Sequence, residues 1–125
     1  MTTDIYISVA GTLGLVGIIP PELENANLTE NANKITNLRC HQKFLLQFLK
    51  SDALKKLVEN VGTVGSQPKL AIYAITDFKV PLPVIQEQTK IANFLSALDD
   101  KINHCQRQIE KTELWKKGLL QKMFV

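Results

Sequence analysis

Hydrophobic residues in the last third of the chain are spaced alternately four and three apart, which is the pattern of a helix with one apolar face. The pattern begins after Val84 and predicts one long helix to Met123, on the order of 57 Å in length. Such a stripe is typical of a coiled-coil seam, so we expect the helix to pair with another helix. Packing of the stripe on the chain's own domain is the alternative. The predicted seam consists of Ile91, Leu95, Leu98, Ile102, Cys105, Ile109 and Leu119.

The seam is less regular near its C-terminal end. Thr112 and Lys116 occupy positions where the spacing calls for apolar residues. Trp115 lies beside them and is placed to cover the gap from the flank. We therefore expect the tightest pairing in the earlier part of the helix.

The first 61 residues predict a small sheet followed by helices. Alternating apolar residues indicate strands at residues 4–10, 15–19 and 35–40, and the glycine-containing turn at residues 11–14 predicts a hairpin between the first two. The polar stretch 22–33 is predicted to be a loop. From His41 to Val61 the period becomes helical, and Ser51 resembles a cap that starts a second short helix.

Residues 62–83 are predicted to lead from these helices to the long one. A polar loop at 62–68 precedes two short apolar segments, 70–75 and 78–82, which we expect to return to the sheet. Pro81 and Pro83 then frame the junction. Because proline restricts its own backbone and that of the preceding residue, we expect a stiff exit into the helix.

Charge gives little indication of a nucleic-acid partner. The chain carries 15 Lys+Arg and 12 Asp+Glu, a net charge of +3. Residues 1–80 hold eight basic and seven acidic residues, so their net charge is only +1. Domains that bind DNA usually concentrate a clear basic excess. Charge alone therefore does not predict DNA binding.

Cysteine, histidine and hydropathy patterns exclude several other classes. The two cysteines and two histidines of the chain have no spacing that predicts a zinc site, and no cofactor is expected. Two free thiols fit a reducing compartment. The apolar run at residues 9–19 is too short to span a membrane and has no basic segment before it. These features predict a soluble cytoplasmic protein.

No pattern in the chain predicts catalysis. Glycines at positions 11, 14 and 17 form neither a dinucleotide fingerprint nor a phosphate-binding loop, and a tight hairpin explains them better. Asp99 and Lys101 have a spacing that occurs in nuclease sites, but they lie on the polar side of the predicted helix. We therefore expect a protein without catalytic residues.

Two blocks of sequence are similar to type I restriction–modification specificity subunits. One block is VPLP at residues 80–83, followed by EQTKIANFLSALDDKI at residues 87–102, with the tail KKGLLQ at 116–121. The other comprises DIYISVAGTLG at residues 4–14 and ANLTEN at residues 26–31, with FLKS at 48–51 and GSQ at 65–67. The first block is quite specific, whereas the glycines alone would be a weak signal.

The resemblance implies an α+β fold with a partial, β-rich target-recognition domain at residues 1–83. Two short helices belong to this domain, which corresponds to the second half of a complete recognition domain. One long conserved coiled-coil helix follows at residues 84–125, and a self-associated pair of such helices is expected to be antiparallel.

The resemblance also implies a non-catalytic subunit and a set of partners. Recognition domains of this family read double-stranded DNA. The helices dock the methylation and restriction subunits, and we expect a homodimer or pairing with the helix of another specificity subunit.

Polar and basic residues on or beside the predicted loops are candidate DNA contacts, with ordinary solvated surface as the alternative for each. Asn27 and Asn31 are interpreted as turn formers. A module that associates with proteins and does not bind DNA is the competing function. The candidate DNA contacts are Thr12, Lys34, Arg39, Ser66, Gln67 and Lys69.

Overall fold

The computed structural model describes residues 4–61 and 72–124, which fold into an α+β arrangement. Its compact units are Met1–Ala92 and Asn93–Val125. The first unit contains every strand of the described chain and the shorter helices. The second consists of the remainder of the long helix.

A three-stranded antiparallel sheet forms the base of the first unit. Strand β1 (Ile5–Ser8) lies in the centre, between β2 (Val16–Ile18) and β3 (Ala32–Ile35). The hairpin predicted for β1 and β2 is confirmed, with Ile5 opposite Ile18 and Ile7 opposite Val16. A single 3-10 turn, Pro21–Leu23, follows β2.

Helices α1 (Gln42–Lys50) and α2 (Asp52–Val61) follow the sheet and match the predicted helical stretch. The break between them lies at Ser51, whose Oγ accepts a hydrogen bond from the Ala53 N–H over 3.3 Å. A short helix α3 (Ile72–Thr76) precedes the long helix α4 (Ile85–Met123). Helix α4 begins and ends where the apolar spacing predicts.

The core of the first unit lies between one face of the sheet and the short helices. Alternate residues of β1 point into it, and Ile5 and Ile7 are fully buried. Because burial of apolar area is the main favourable term in folding, this contact holds the sheet and helices together. The buried cluster consists of Ile5, Ile7, Val9, Leu45, Leu46, Leu49, Leu54 and Ala74.

The prediction of a third strand at residues 35–40 is wrong. The strand is Ala32–Ile35, which begins in the stretch predicted to be a loop and shares only Ile35 with the predicted strand. It pairs with β1 through Tyr6 opposite Lys34. Asn37 has a φ of 54°, a left-handed conformation that ends the strand. Leu38 and Cys40 still pack against the core, which explains their apolar pattern.

The prediction that residues 70–75 and 78–82 return to a sheet is also wrong for the residues that are described. Ile72–Thr76 is the helix α3, so the fold has one short helix more than expected. The Thr76 hydroxyl donates to the Ile72 carbonyl over 3.0 Å within it. Phe78 packs on Phe48 with ring centroids 5.9 Å apart and belongs to no strand. Residues 62–71, with the predicted loop, lie outside the described residues.

The Tyr6 ring lies against Gly17 on the face of the sheet opposite the core. The two residues are cross-strand partners, and a Cβ on Gly17 would lie 2.5 Å from Tyr6 Cε1. Glycine is therefore needed at this position because the aromatic ring occupies the space of a side chain.

Replacing Gly17 by alanine is predicted to lower the free energy of unfolding by about 1–3 kcal/mol, since the Tyr6 ring must move. Chemical denaturation of the variant measures this loss. The cost should shrink when Tyr6 is also replaced by alanine. Gly118→Ala is the control, because nothing lies within 4 Å of its added methyl group, and it should stabilise α4 by about 0.5–1 kcal/mol. Equal effects of Gly17→Ala with and without Tyr6 would contradict this explanation.

Candidate functional site

The hairpin loop between β1 and β2 presents Thr12, the first candidate DNA contact. Ser8 organises this loop: its Oγ donates to the Thr12 carbonyl and accepts from the Leu15 N–H over 2.8 Å. The Ser8 carbonyl also accepts from the Gly14 N–H over 3.0 Å. Gly11 and Gly14 have φ values of 74° and 77°, which glycine adopts without steric cost. The loop thus has a defined conformation, with the Thr12 side chain exposed.

Lys34 lies on the edge strand β3 and has two partners within the protein. Its Nζ is 3.1 Å from Asp4 Oδ2 and donates to the Glu24 carbonyl over 3.2 Å. These contacts tie β3 to the start of β1 and to the loop after the 3-10 turn. An ammonium has three donors, so a phosphate oxygen can still be bound at the third. The charge of Lys34, however, is offset by Asp4.

Arg39 is exposed in the irregular segment between β3 and α1. Of the six candidate DNA contacts, Thr12, Lys34 and Arg39 are described, and all three belong to the first unit. Ser66, Gln67 and Lys69 lie outside the described residues. The DNA contacts therefore remain predictions.

The start of α4 is fixed by Gln88, which sequence reasoning did not single out as functional. Its side chain is only 5% exposed. Its Oε1 accepts from the His41 N–H over 2.8 Å, and its Nε2 donates to the Pro83 carbonyl, also over 2.8 Å. His41 precedes the first residue of α1, so one amide group joins the start of α1 to the segment before α4. In the sequence, the only signal for this role of Gln88 was its position within the EQTKIA block.

Ala92, one turn beyond Gln88, is fully buried. Residues four apart lie on the same helix face, so Gln88 and Ala92 define the face of α4 that packs within the first unit. Ile91, the first residue of the predicted seam, is half-buried in the same unit.

The rest of the predicted seam belongs to the second unit and is largely exposed. Leu95 is half-buried, Cys105 is exposed, and the exposed fractions are 43% for Leu98, 59% for Ile102 and 57% for Ile109. Leu119 is exposed as well. Every residue from position 100 to 117 is exposed. Contiguous exposed apolar side chains mark an interaction surface, although the coiled coil itself remains a prediction.

Helix α4 also exposes large apolar residues beside the predicted seam. Phe94 is 66% exposed and Trp115 is 68% exposed. Trp115 was expected only to cover a gap, and Phe94 was not assigned a role. Others near the C-terminal end of α4 are Leu114, Leu120 and Met123, and Phe124, just after the helix, is exposed as well.

The two cysteines differ in environment. Burial raises the pKa of the Cys40 thiol, because desolvation disfavours the thiolate. Cys105 is exposed on the seam. A thiol reagent should therefore react first at Cys105.

Residues 4–61 and 72–124 lack the features of two other kinds of site. In this part of the chain, no three His, Cys, Asp or Glu residues come together in a way that could hold a metal ion. Among the described helices, none combines the length and apolar character that crossing a membrane requires.

Comparison with known proteins agrees with the resemblance. Residues 2–113 match the type I restriction modification DNA specificity domain, and the chain belongs to this family. It is 31% identical over 121 residues to a putative type I restriction enzyme MjaX specificity subunit of Methanocaldococcus jannaschii. It is 34% identical over 76 residues to the MjaVIII specificity subunit of the same organism.

The alignments cover different shares of the proteins. They include 94% of this chain and 27% of the MjaX subunit, and 61% of this chain and 17% of the MjaVIII subunit. The chain thus spans about a quarter or less of the length of these relatives.

Replacing Gln88 by alanine is predicted to lower the free energy of unfolding by about 1–3 kcal/mol, because the Pro83 carbonyl and His41 N–H lose their partner. Gln88→Glu should be worse at neutral pH, since a carboxylate cannot donate to Pro83. Burial raises the pKa of such a carboxyl group above its unfolded value, so the extra loss should diminish as pH falls. Thermal unfolding at several pH values measures both effects. Gln86→Ala, at an exposed position two residues earlier on another face of the helix, should have little effect and serves as the control.

Proposed function

We propose that this chain is a non-catalytic DNA specificity component of a type I restriction–modification system. In this proposal, residues 1–83 form part of a target-recognition domain that contacts double-stranded DNA. Residues 84–125 form the helix that docks the methylation and restriction subunits. The family match supports the assignment to such a system. The observation that carries the docking role is the exposed apolar face of α4 between Leu98 and Ile109.

The exposed face supports docking because its apolar area stays in contact with water, which is unfavourable, until a partner covers it. Each fully buried aliphatic side chain contributes roughly 1.5–3 kcal/mol relative to an exposed one. Leu98, Ile102 and Ile109 are 43%, 59% and 57% exposed, so much of that contribution is still to be gained when an interface buries them. A second helix supplies the complementary apolar ridge that such a stripe requires.

The DNA role is supported by the position of the described candidates. Thr12 lies in a loop with a fixed backbone, and Arg39 carries an exposed guanidinium group. Lys34 is paired with Asp4, and residues 1–80 carry a net charge of only +1. We therefore propose few phosphate contacts, a low affinity for DNA, and an affinity that falls further when salt is added.

The competing function is a protein-interaction module that does not bind DNA. The pairing of Lys34 with Asp4 and the net charge of +1 over residues 1–80 favour it. Such a module would pair with itself or occupy the docking site of another specificity subunit.

Retention of double-stranded DNA at low salt distinguishes the two functions. The chain should shift a duplex in a gel, and affinity should fall with salt. Arg39→Ala should reduce the slope of log affinity against log salt by about one unit. Lys79→Ala, an exposed lysine outside the candidate set, should leave that slope unchanged. Absence of any shift, with helical dimers still present by light scattering, would favour the interaction module.

Charged substitutions on the seam test the docking role. Leu98→Asp and Ile102→Asp should each abolish co-purification with a methylation subunit, because a carboxylate would be buried without a partner. Asn103→Asp adds the same charge at the neighbouring position on the polar side and should co-purify like the unaltered chain. Co-purification of the Leu98 and Ile102 variants at unaltered yield would show that docking does not use this face.

A further inference from the structure

The small net charge of the first unit hides an uneven distribution of charge along the chain. Residues 1–31 carry four acidic residues and no basic one, a net charge of −4. Residues 32–61 carry six basic and two acidic residues, a net charge of +4. Four of those six basic residues belong to α1 and α2. Positive charge that an anionic partner could use is therefore concentrated on these two helices.

Two of the lysines border an open groove between the β1–β2 hairpin and the junction of α1 with α2. Leu13 and Leu15 line the groove on the hairpin side, and Lys50 and Lys55 line it on the helix side. Both lysines are exposed, and neither has a carboxylate within 4 Å in the part of the chain that the structure describes. Unlike Lys34, they keep their charge for a partner.

The hairpin and the α1–α2 junction form one fixed surface. Gly14 lies so close to α2 that an added Cβ would be 3.4 Å from Val58 Cγ2. The Ser51 hydroxyl donates to the Phe48 carbonyl and accepts from the Ala53 N–H, which holds the end of α1 and the first turn of α2 together. The backbone that carries the two lysines therefore has a fixed position relative to the hairpin loop.

We propose that this surface contacts the backbone of double-stranded DNA, with Lys50 and Lys55 each binding a phosphate. The hairpin loop then lies beside the same stretch of duplex, because the hairpin forms the other wall of the groove. Residues 5–21 contain no charged side chain, so the phosphates do not repel the hairpin. Phosphate contacts orient a protein on the duplex and leave base contacts to neighbouring groups, here the exposed Thr12 side chain. This assignment rests on the proposed function and names the face of the first unit that binds DNA.

Glu59 lines the same groove and limits the affinity of this surface for DNA. It follows Lys55 by four residues, so the two side chains lie on the same face of α2. A carboxylate in this position repels a phosphate that Lys55 binds. Removal of a lysine charge should therefore weaken DNA binding, whereas removal of the Glu59 charge should strengthen it.

Salt-titrated gel shifts of the full chain with a duplex of mixed sequence test this surface. The double variant Lys50→Gln, Lys55→Gln should bind at least about tenfold more weakly at low salt. Its slope of log affinity against log salt should fall by about two units, one for each lost phosphate contact. Glutamine has nearly the helix propensity of lysine, so the helices should be retained.

Glu59→Gln should raise the affinity about two- to fivefold, which is the size of a surface charge interaction. Because unfolding cannot produce a gain in affinity, this variant keeps the test decisive if the lysine variants are unstable. Lys56→Gln is the matched control, since Lys56 is exposed on the same helix but does not line the groove. It should change the slope little.

The possible results separate failure of this assignment from failure of the proposed function. An unaltered chain that shifts no duplex at low salt would contradict both. If the unaltered chain binds but the double variant keeps its slope, or Lys56→Gln has as large an effect as Lys55→Gln, DNA binding stands and this surface does not carry it. A double variant that keeps its slope but no longer co-purifies with a methylation subunit would assign the groove to an acidic protein partner instead.

Discussion

The apolar face of α4 is the constraint on which the behaviour of this protein depends. Between positions 100 and 117 every side chain is exposed, and the face includes Ile102 and Ile109. Most helical stability in proteins comes from packing of such a face rather than from intrinsic helix propensity. Burial of Leu98, Ile102 and Ile109 by a partner would contribute several kcal/mol. That is a large fraction of the 5–15 kcal/mol that stabilises a typical domain. A partner that covered this face would therefore also stabilise the helix itself.

Helix α4 has two environments along its length. Gln88 and Ala92 lie on a face that packs within the first unit, whereas Leu98 and Ile102 present apolar area to solvent. The hydrogen bonds of Gln88 to His41 and Pro83 set where the helix begins relative to α1. The EQTKIA block thus contains both a polar anchor and the start of the seam. This explains physically why glutamine, a polar residue, occupies a buried position in this block.

Prediction from sequence succeeded where the pattern was long or where turn residues were clear. The start of α4 after Val84 and the hairpin around Gly11 and Gly14 needed only periodicity and glycine conformation. The third strand was misplaced because Leu38 and Cys40 reach the core from irregular backbone, and an alternating pattern does not distinguish that from a strand. Helix α3 was missed because five residues are too few to show a period.

The candidate sites were predictable to different degrees for similar reasons. A seam is a repeated pattern, so its residues can be selected from spacing alone. The role of Gln88 depends on contacts with His41, 47 positions earlier, and no local pattern records such a contact. Pairing of Lys34 with Asp4 is likewise set by the register of β3 against β1. Electrostatic predictions made from a list of lysines and arginines therefore overstate the charge available to a partner.

The weak charge of the first unit and the apolar face of α4 both affect how strongly the chain could bind DNA. A unit with a net charge of only +1 over residues 1–80 binds phosphate weakly by itself, because affinity grows with the number of phosphates neutralised. A partner held on α4 that makes its own phosphate contacts would raise the affinity through high effective concentration, without any new contact from this chain. On the proposed function, the strength of DNA binding would then depend on the helix interface, which contacts no DNA.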